Sequence, residues 1–359
     1  MLKILTILGT RPEIIRLSEI IKVLDKFSEQ KIVHTGQNYD YNLDKIFFKN
    51  LKIRKPDKYL KARGSFASQI AKIITGVETE ILSFKPDRFV VLGDTNSSLA
   101  AITAKRMGIP VYHLEAGNRS LIKNAPEEVN RKIIDHSSDI LLPYSYRSAE
   151  NLTREGIPRH KIFVMGNPIN EVLNVNTKAI ERSEILNKLK IEKKNYFLLT
   201  LHREENVDDP KRFKVFIDIF NKIVNKYKIP IIWPVHPRTK KIINRGEYKM
   251  HGLIKIVSPL GFFDFVKLEK SAKCILTDSG TVQEEAAILK VPSVILRENT
   301  ERPESIESGS SIVSDNPTTI LNSINVSIFS ENYIDAPQEY KILKSSLIFA
   351  KIVLGKNII

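Results

Sequence analysis

A single cysteine in 359 residues, Cys274, removes an internal disulfide framework and any cysteine-based metal site at one stroke. No apolar run reaches the length of a membrane span, and the opening MLKILTILGT leads directly into a strand pattern rather than through a signal peptide. The expected compartment is therefore the cytoplasm, with no membrane partner. Neither G-x-G-x-x-G nor a Gly-Lys-Ser/Thr phosphate loop opens any part of the chain, which argues against a dehydrogenase and a P-loop enzyme. There is no helix-turn-helix, zinc-finger or RNP signature, and no repeat of solenoid period.

What is present is a globular composition, 42% hydrophobic and 27% charged, long enough for two cores. Lys and Arg number 56 against 41 Asp and Glu, a formal charge of +15. The lysines are scattered over helical stretches such as 183–194 and not gathered around aromatics, so a solvated surface is expected and no nucleic-acid partner. Some of that charge also suits an anionic substrate.

Strands and helices alternate. Strand patterns fall at 2–8, 31–35, 88–92, 111–114, 139–143 and 163–166, with helical apolar spacing at 14–24, 68–82 and 99–107. After Asn167-Pro168 a polar, helix-forming segment to about Lys194 reads as a connector. The alternation resumes with strands at 196–200, 229–233, 254–257, 274–277 and 293–296, and a helix is expected over 340–354. This is an α/β chain with two doubly wound halves: an N-terminal domain over 1–169, a C-terminal domain over 170–339, and a terminal helix over 340–359 returning to the first.

The chemistry-bearing residues cluster in the turns after strands, where open α/β sheets bind ligands. Arg11 and Glu13 follow the first strand, Asp94 the third, Glu115 with Arg119 the fourth, and His202-Arg203-Glu204-Glu205 the first strand of the second half. Thr277–Ala286, TDSGTVQEEA, reads as strand, turn and helix start. Ser279 and Gly280 would present unpaired N–H groups and the positive helix end to a phosphate, with Glu284 and Glu285 a turn later for ribose hydroxyls. An ordinary capped helix with Asp278 or Ser279 at its start fits the same residues. Glu127 and Glu128 open a helix, where dipole placement alone would account for them. His113 sits inside an apolar run and reads as core; His202 opens a polar loop and reads as functional; His236 fits either role.

GTRPE at Gly9, GDTNS at Gly93, HLEAGNR at His113, PEEVNRK at Pro126, THREEN at Thr200, TDSGTVQEEA at Thr277 and TERPES at Thr300 occur in that order. The set resembles the non-hydrolysing UDP-N-acetylglucosamine 2-epimerases, from the first strand to about Ser311. The resemblance implies a GT-B-like fold, two Rossmann-like domains facing a central cleft that closes on UDP, and a homodimer. It implies anti elimination of UDP to a 2-acetamidoglycal and re-addition with a proton on the other face of C2, using no cofactor and no metal. Asp94, Glu115 and Glu127 match the proton-transferring carboxylates and His202 the histidine of the pyrophosphate and C–O cleavage step. By the same resemblance Arg11 matches a diphosphate contact, Arg203 is expected among the substrate-binding residues, Phe265 would lie beside the uracil, Ser279 and Gly280 match the helix-terminus phosphate site, Glu285 matches the ribose-binding carboxylate, and Glu301 and Arg302 match a loop edging the sugar pocket.

The chain departs from the family pattern at several points. Arg16 replaces the usual lysine of the phosphate site, Asn118 the usual leucine, and residues 120–125 form a short segment. HTGQNYDY at His34 stands where bacterial members build a second, activating UDP-GlcNAc site, which implies altered activation. With NRKIIDH at Asn130, these features are similar to the branch that makes UDP-N-acetyl-L-fucosamine from a 2-acetamido-2,6-dideoxy-L-talose nucleotide.

Overall fold

A computed structural model describes residues 1–36, 41–120, 126–235, 237–245 and 248–355. Two compact units emerge, one of Met1–Val175 with Gln338–Ile359, the other of Asn176–Pro337. Each holds one six-stranded parallel sheet with helices.

In the first unit the strands are β1 (Lys3–Leu8), β2 (Glu29–His34), β3 (Lys58–Tyr59), β4 (Arg88–Leu92), β5 (Val111–Leu114) and β6 (Ile140–Leu142), ordered β3-β2-β1-β4-β5-β6. In the second they are β7 (Phe197–Thr200), β8 (Ile231–Pro234), β9 (Ile254–Val257), β10 (Cys274–Thr277), β11 (Ser293–Ile295) and β12 (Ile312–Val313), ordered β12-β11-β10-β7-β8-β9. Renumbered within each unit the two orders are identical, the doubly wound 3-2-1-4-5-6. Its switch point lies between β1 and β4 in one sheet and between β7 and β10 in the other, so the turns after those four strands are the ligand-binding positions of the topology.

The sequence accounts for these strands through burial on both faces. KILTIL of β1 and FLLT of β7 have almost no polar face, as parallel strands covered by helices require. In the first unit Leu5, Ile7, Phe89 and Val91 pack with Ile73, Val77 and Ile81 of the helix Phe66–Phe84. In the second, Phe213, Phe216 and Phe220 of the helix Pro210–Tyr227 surround the fully buried Trp233 of β8, with Phe220 edge-on to the indole at 5.8 Å. Each such side chain contributes roughly 1.5–3 kcal/mol by leaving water.

Some expected elements differ. Residues 163–166 are not a strand: Phe163 and Met165 donate N–H bonds to Leu141 and Pro143, but only a single bridge, Leu141 to Ile162, forms before Gly166 turns at φ 77° into Asn167-Pro168. The terminal helix begins at Ser345, after a short 3-10 turn at Gln338–Lys341, and not at 340. The two-residue strands β3 and β12 have no counterpart in the sequence pattern, being too short to show a period. Among the described residues no helix is long and apolar enough to cross a membrane.

Candidate active site

In the first unit the turn after β1 begins at Gly9, whose position leaves no room for a side chain. A Cβ there would lie 2.0 Å from the Thr35 hydroxyl and 2.3 Å from that of Ser97. Those two hydroxyls bond each other at 2.8 Å, closing the β2 turn on the β4 turn. The helix Arg11–Phe27 then starts with Pro12 in its first turn. Glu13, 1% exposed, reaches back to accept from the Gly9 and Thr10 N–H groups at 3.0 and 2.7 Å and the Thr10 hydroxyl at 2.7 Å. Its other oxygen accepts from the Thr95 hydroxyl at 2.9 Å, so one carboxylate ties the β1 turn to the β4 turn. Burial lifts Glu13 to about 7 against these bonds, which lower it.

Asp94, beside Thr95, is held from the helix Pro126–His136. Arg131 donates to its Oδ2 through two nitrogens, at 2.9 and 2.7 Å, and Asn130 donates to its carbonyl at 2.9 Å. Glu115, at the end of β5, is buried and pairs with the equally buried Arg16. Its second oxygen accepts from Asn118 at 3.4 Å, and Asn118 in turn accepts from Ser148 at 2.9 Å. Glu115 sits at φ 66°, a left-handed conformation that costs a non-glycine residue on the order of 1–2 kcal/mol and marks a position over-determined by its surroundings. Arg16, matched by resemblance to a phosphate contact, thus directs its fork at a carboxylate. Glu127 is exposed in the first helical turn, whereas Glu128 is buried, accepting from Ser120 at 3.0 Å and Arg131 at 3.1 Å. Arg11 is half-buried with its guanidinium over the Phe47 ring at 5.8 Å.

His113 is buried as expected, though as part of a polar strut: its ring bonds Asp135 at 2.8 Å and the Gly93 carbonyl at 3.1 Å. Its role is to fix the Asp94 turn.

In the second unit the turns after β7 and β10 are bound together by Asp278, which is fully buried. Its Oδ2 accepts from the backbone N–H of His202 and of Arg203, both at 2.9 Å, and from Asn206 at 3.1 Å. Its Oδ1 lies 3.1 Å from His202 Nδ1, leaving the half-exposed imidazole free to present its other nitrogen outward. Burial works against the charged forms of both groups, but their mutual attraction prevails: His202 is raised and Asp278 lowered.

The helix Gly280–Leu289 is capped by Ser279, whose hydroxyl accepts weakly from Val282 N–H at 3.5 Å. Gly280 permits Glu301 to approach; a Cβ there would stand 2.8 Å from Glu301 Oε1. Glu301 is buried among Arg297 at 2.6 Å, Arg203 at 3.3 Å and Arg302 at 3.6 Å, while Arg302 also pairs with Glu284. Arg203 further donates to the Asp278 carbonyl at 2.9 Å. Glu285 is buried one residue beyond Glu284, and Phe265 is half-buried on the apolar cluster around Leu268 and Val282.

Within each unit, then, the candidates gather at the carboxyl ends of the strands: in one, Arg11 and Asp94 follow β1 and β4, with Glu115 after the neighbouring β5 and Arg16 on the first helix; in the other, His202, Arg203, Ser279 and Gly280 follow β7 and β10, with Glu301 and Arg302 beyond β11. Arg131, Asn130 and Asp278, the groups that orient Asp94 and His202, carry no signal of that role in the sequence. Asp278 was visible only as a possible helix cap, and the acid–base spacing 94 to 131 carries no local signal. His236, and residues 37–40 and 121–125 of the departures noted above, lie outside the described residues. Among the described residues no group of three or more His, Cys, Asp or Glu could hold a metal ion.

A family profile described as UDP-N-acetylglucosamine 2-epimerase matches residues 23–351. The chain is 44% identical over 337 residues to a UDP-N-acetylglucosamine 2-epimerase of Methanocaldococcus jannaschii, covering 90% of this chain and 92% of that protein. It is 35% identical to a UDP-2,3-diacetamido-2,3-dideoxy-D-glucuronate 2-epimerase of Pseudomonas aeruginosa, covering 87% and 88%. Among solved structures, the Methanocaldococcus jannaschii UDP-GlcNAc 2-epimerase in complex with UDP-GlcNAc and UDP matches with a TM-score of 0.92 and 41% identity, over 99% of this chain and 100% of that one.

Proposed function

The chain belongs to the UDP-N-acetylglucosamine 2-epimerase family, an isomerase family of GT-B-like fold, and on that premise we propose that it interconverts UDP-GlcNAc and UDP-ManNAc without a cofactor, for surface polysaccharide synthesis. The observation that carries the reading is the pair Asp94 and Glu115: two carboxylates at the carboxyl ends of adjacent strands, each fixed by its own arginine.

The reaction explains why such groups are needed. The C2–H of the sugar is too weakly acidic for a carboxylate to remove alone, so its loss must be coupled to departure of UDP from C1. Elimination gives the 2-acetamidoglycal; return of UDP to C1 with a proton delivered to the opposite face of C2 gives the epimer. Two faces require two proton carriers, and these come from the three carboxylates Asp94, Glu115 and Glu127. UDP must be held as leaving group and then as nucleophile. His202, biased toward its charged form by Asp278, offsets charge developing on the pyrophosphate, and Arg11, Arg203 and the N–H groups at Ser279 and Gly280 assist. Glu285 accepts the ribose hydroxyls, Phe265 packs beside the uracil, and Glu301 and Arg302 border the sugar. Arg16 acts through Glu115, holding it in place. The active form is a homodimer in the cytoplasm.

His202→Ala and Asp94→Asn test these roles. Each should lower turnover by about a hundredfold or more while changing UDP affinity by less than about tenfold. A glycosyltransferase would instead need an acceptor and leave C2 untouched, and a pure nucleotide binder would turn nothing over. The Pseudomonas aeruginosa relative acts on a different UDP-sugar, so UDP-N-acetyl-L-fucosamine belongs in the same assay as an alternative substrate.

A further inference from the structure

On the helix Phe262–Ser271, Glu269 is fully buried, and among the described residues no N–H or O–H donates a hydrogen bond to either of its carboxyl oxygens. An ionised carboxylate in that position would carry its charge into the apolar cluster of Leu268, Ala272, Val282 and Ala286 without compensation. A polar group that interacts with it is the carboxyl of Glu285, also buried, on the neighbouring helix Gly280–Leu289. Two carboxyls so placed cannot both be anions, and a proton held by one becomes a donor to the other.

We propose that Glu269 keeps that proton and donates it to Glu285, making Glu269 a positioning residue that fixes the Glu285 carboxylate for the ribose hydroxyls. The inference rests on the assignment of Glu285 to the ribose. Burial first, and then the charge of Glu285, push the Glu269 carboxyl well above its ordinary range. The other ionisable groups nearby are engaged elsewhere. Tyr196 donates to the Leu268 carbonyl at 2.6 Å, Lys267 and Lys270 turn outward to Glu181, Asp264 pairs with Ser183, Glu284 pairs with Arg302, and Lys178 and Lys188 on the adjoining short helices are exposed. Because the donor proton is lost once the pair is forced to ionise fully, nucleotide affinity should fall at alkaline pH.

The test is calorimetric titration with UDP from neutral to alkaline pH on the wild type, Glu269→Gln, Glu269→Leu and Glu285→Ala, with thermal unfolding and steady-state kinetics alongside. The amide introduced by Glu269→Gln retains a donor that cannot ionise. The expected result is near-wild-type affinity for Glu269→Gln with the alkaline decline flattened, and for Glu269→Leu a rise of roughly tenfold in both Kd and KM with kcat nearly unchanged. A folded Glu269→Leu that binds UDP as the wild type does, while Glu285→Ala binds weakly, would overturn this inference and leave the ribose assignment standing. So would an alkaline decline that persists in Glu269→Gln. Wild-type binding by Glu285→Ala would overturn the ribose assignment and this inference with it.

Discussion

His202 and Asp278 show how one buried side chain sets the chemistry of an exposed one. Asp278 accepts three N–H bonds on one oxygen and faces the imidazole with the other, so it fixes both the loop and the ring nitrogen that carries the proton. Asp278→Asn should therefore cut kcat by on the order of a hundredfold, and because His202 loses the partner that raises it, the alkaline limb of the rate profile should move to lower pH. Glu13 is the opposite case, a carboxyl raised from 4.5 to about 7 by burial. The unfolded chain ionises it from about pH 4.5 and the folded chain only near 7, so its contribution to stability is fully present at acid pH and is lost as pH rises through that window, a difference on the order of 3 kcal/mol. Urea midpoints of wild type against Glu13→Gln across that range would show a declining difference; a flat one would contradict the buried, raised carboxyl. In the sequence His202 was conspicuous because it follows an apolar strand and opens a polar loop. Asp278 was not, since an aspartate before a helix start looks the same whether it caps the helix or grips a histidine 76 residues away.

At the level of the element, the turns are built by contacts that no local pattern announces. The Asp94 turn is held by Glu13 through Thr95, by His113 at the Gly93 carbonyl and by Arg131 from the helix Pro126–His136. Arg131→Leu should release Asp94 and reduce turnover by roughly ten- to hundredfold, and Arg131→Lys, a point charge in place of a fork, should recover only part of it. Retention of full kcat in Arg131→Leu would show that Asp94 needs no such support. The strands themselves were legible as apolar runs, because parallel strands are buried on both faces. What failed was the expectation of a strand at 163–166, where the same apolar spacing serves a segment that pairs once and then turns. The helix start at Gly280 was legible from Ser279 and the apolar residues after it, but the close approach of the Glu301 carboxylate to Gly280 depends on a residue 21 positions along the chain.

At the scale of the whole molecule, both units use one topology, and in each the candidate residues lie at the carboxyl ends of the strands, at and beside its switch point. That placement follows from strand order, which the alternation of elements predicts only in class. The family was legible because its motifs fall, in one order, after β1, β4, β5, β7, β10 and β11 and at the start of the helix Pro126–His136. If the substrate is the anionic nucleotide sugar proposed above, the +15 charge is expected to be a property of the surface rather than a nucleic-acid site. Retention on immobilised DNA should accordingly be weak and abolished by modest salt; tight, sequence-tolerant retention would contradict it. The most direct test of the proposed epimerisation is proton NMR of the purified protein with UDP-GlcNAc in D₂O without added cofactor. The predicted product is UDP-ManNAc carrying deuterium at C2. Product that keeps its original hydrogen at C2, or no turnover of any UDP-N-acetylhexosamine despite measurable UDP binding, would contradict it.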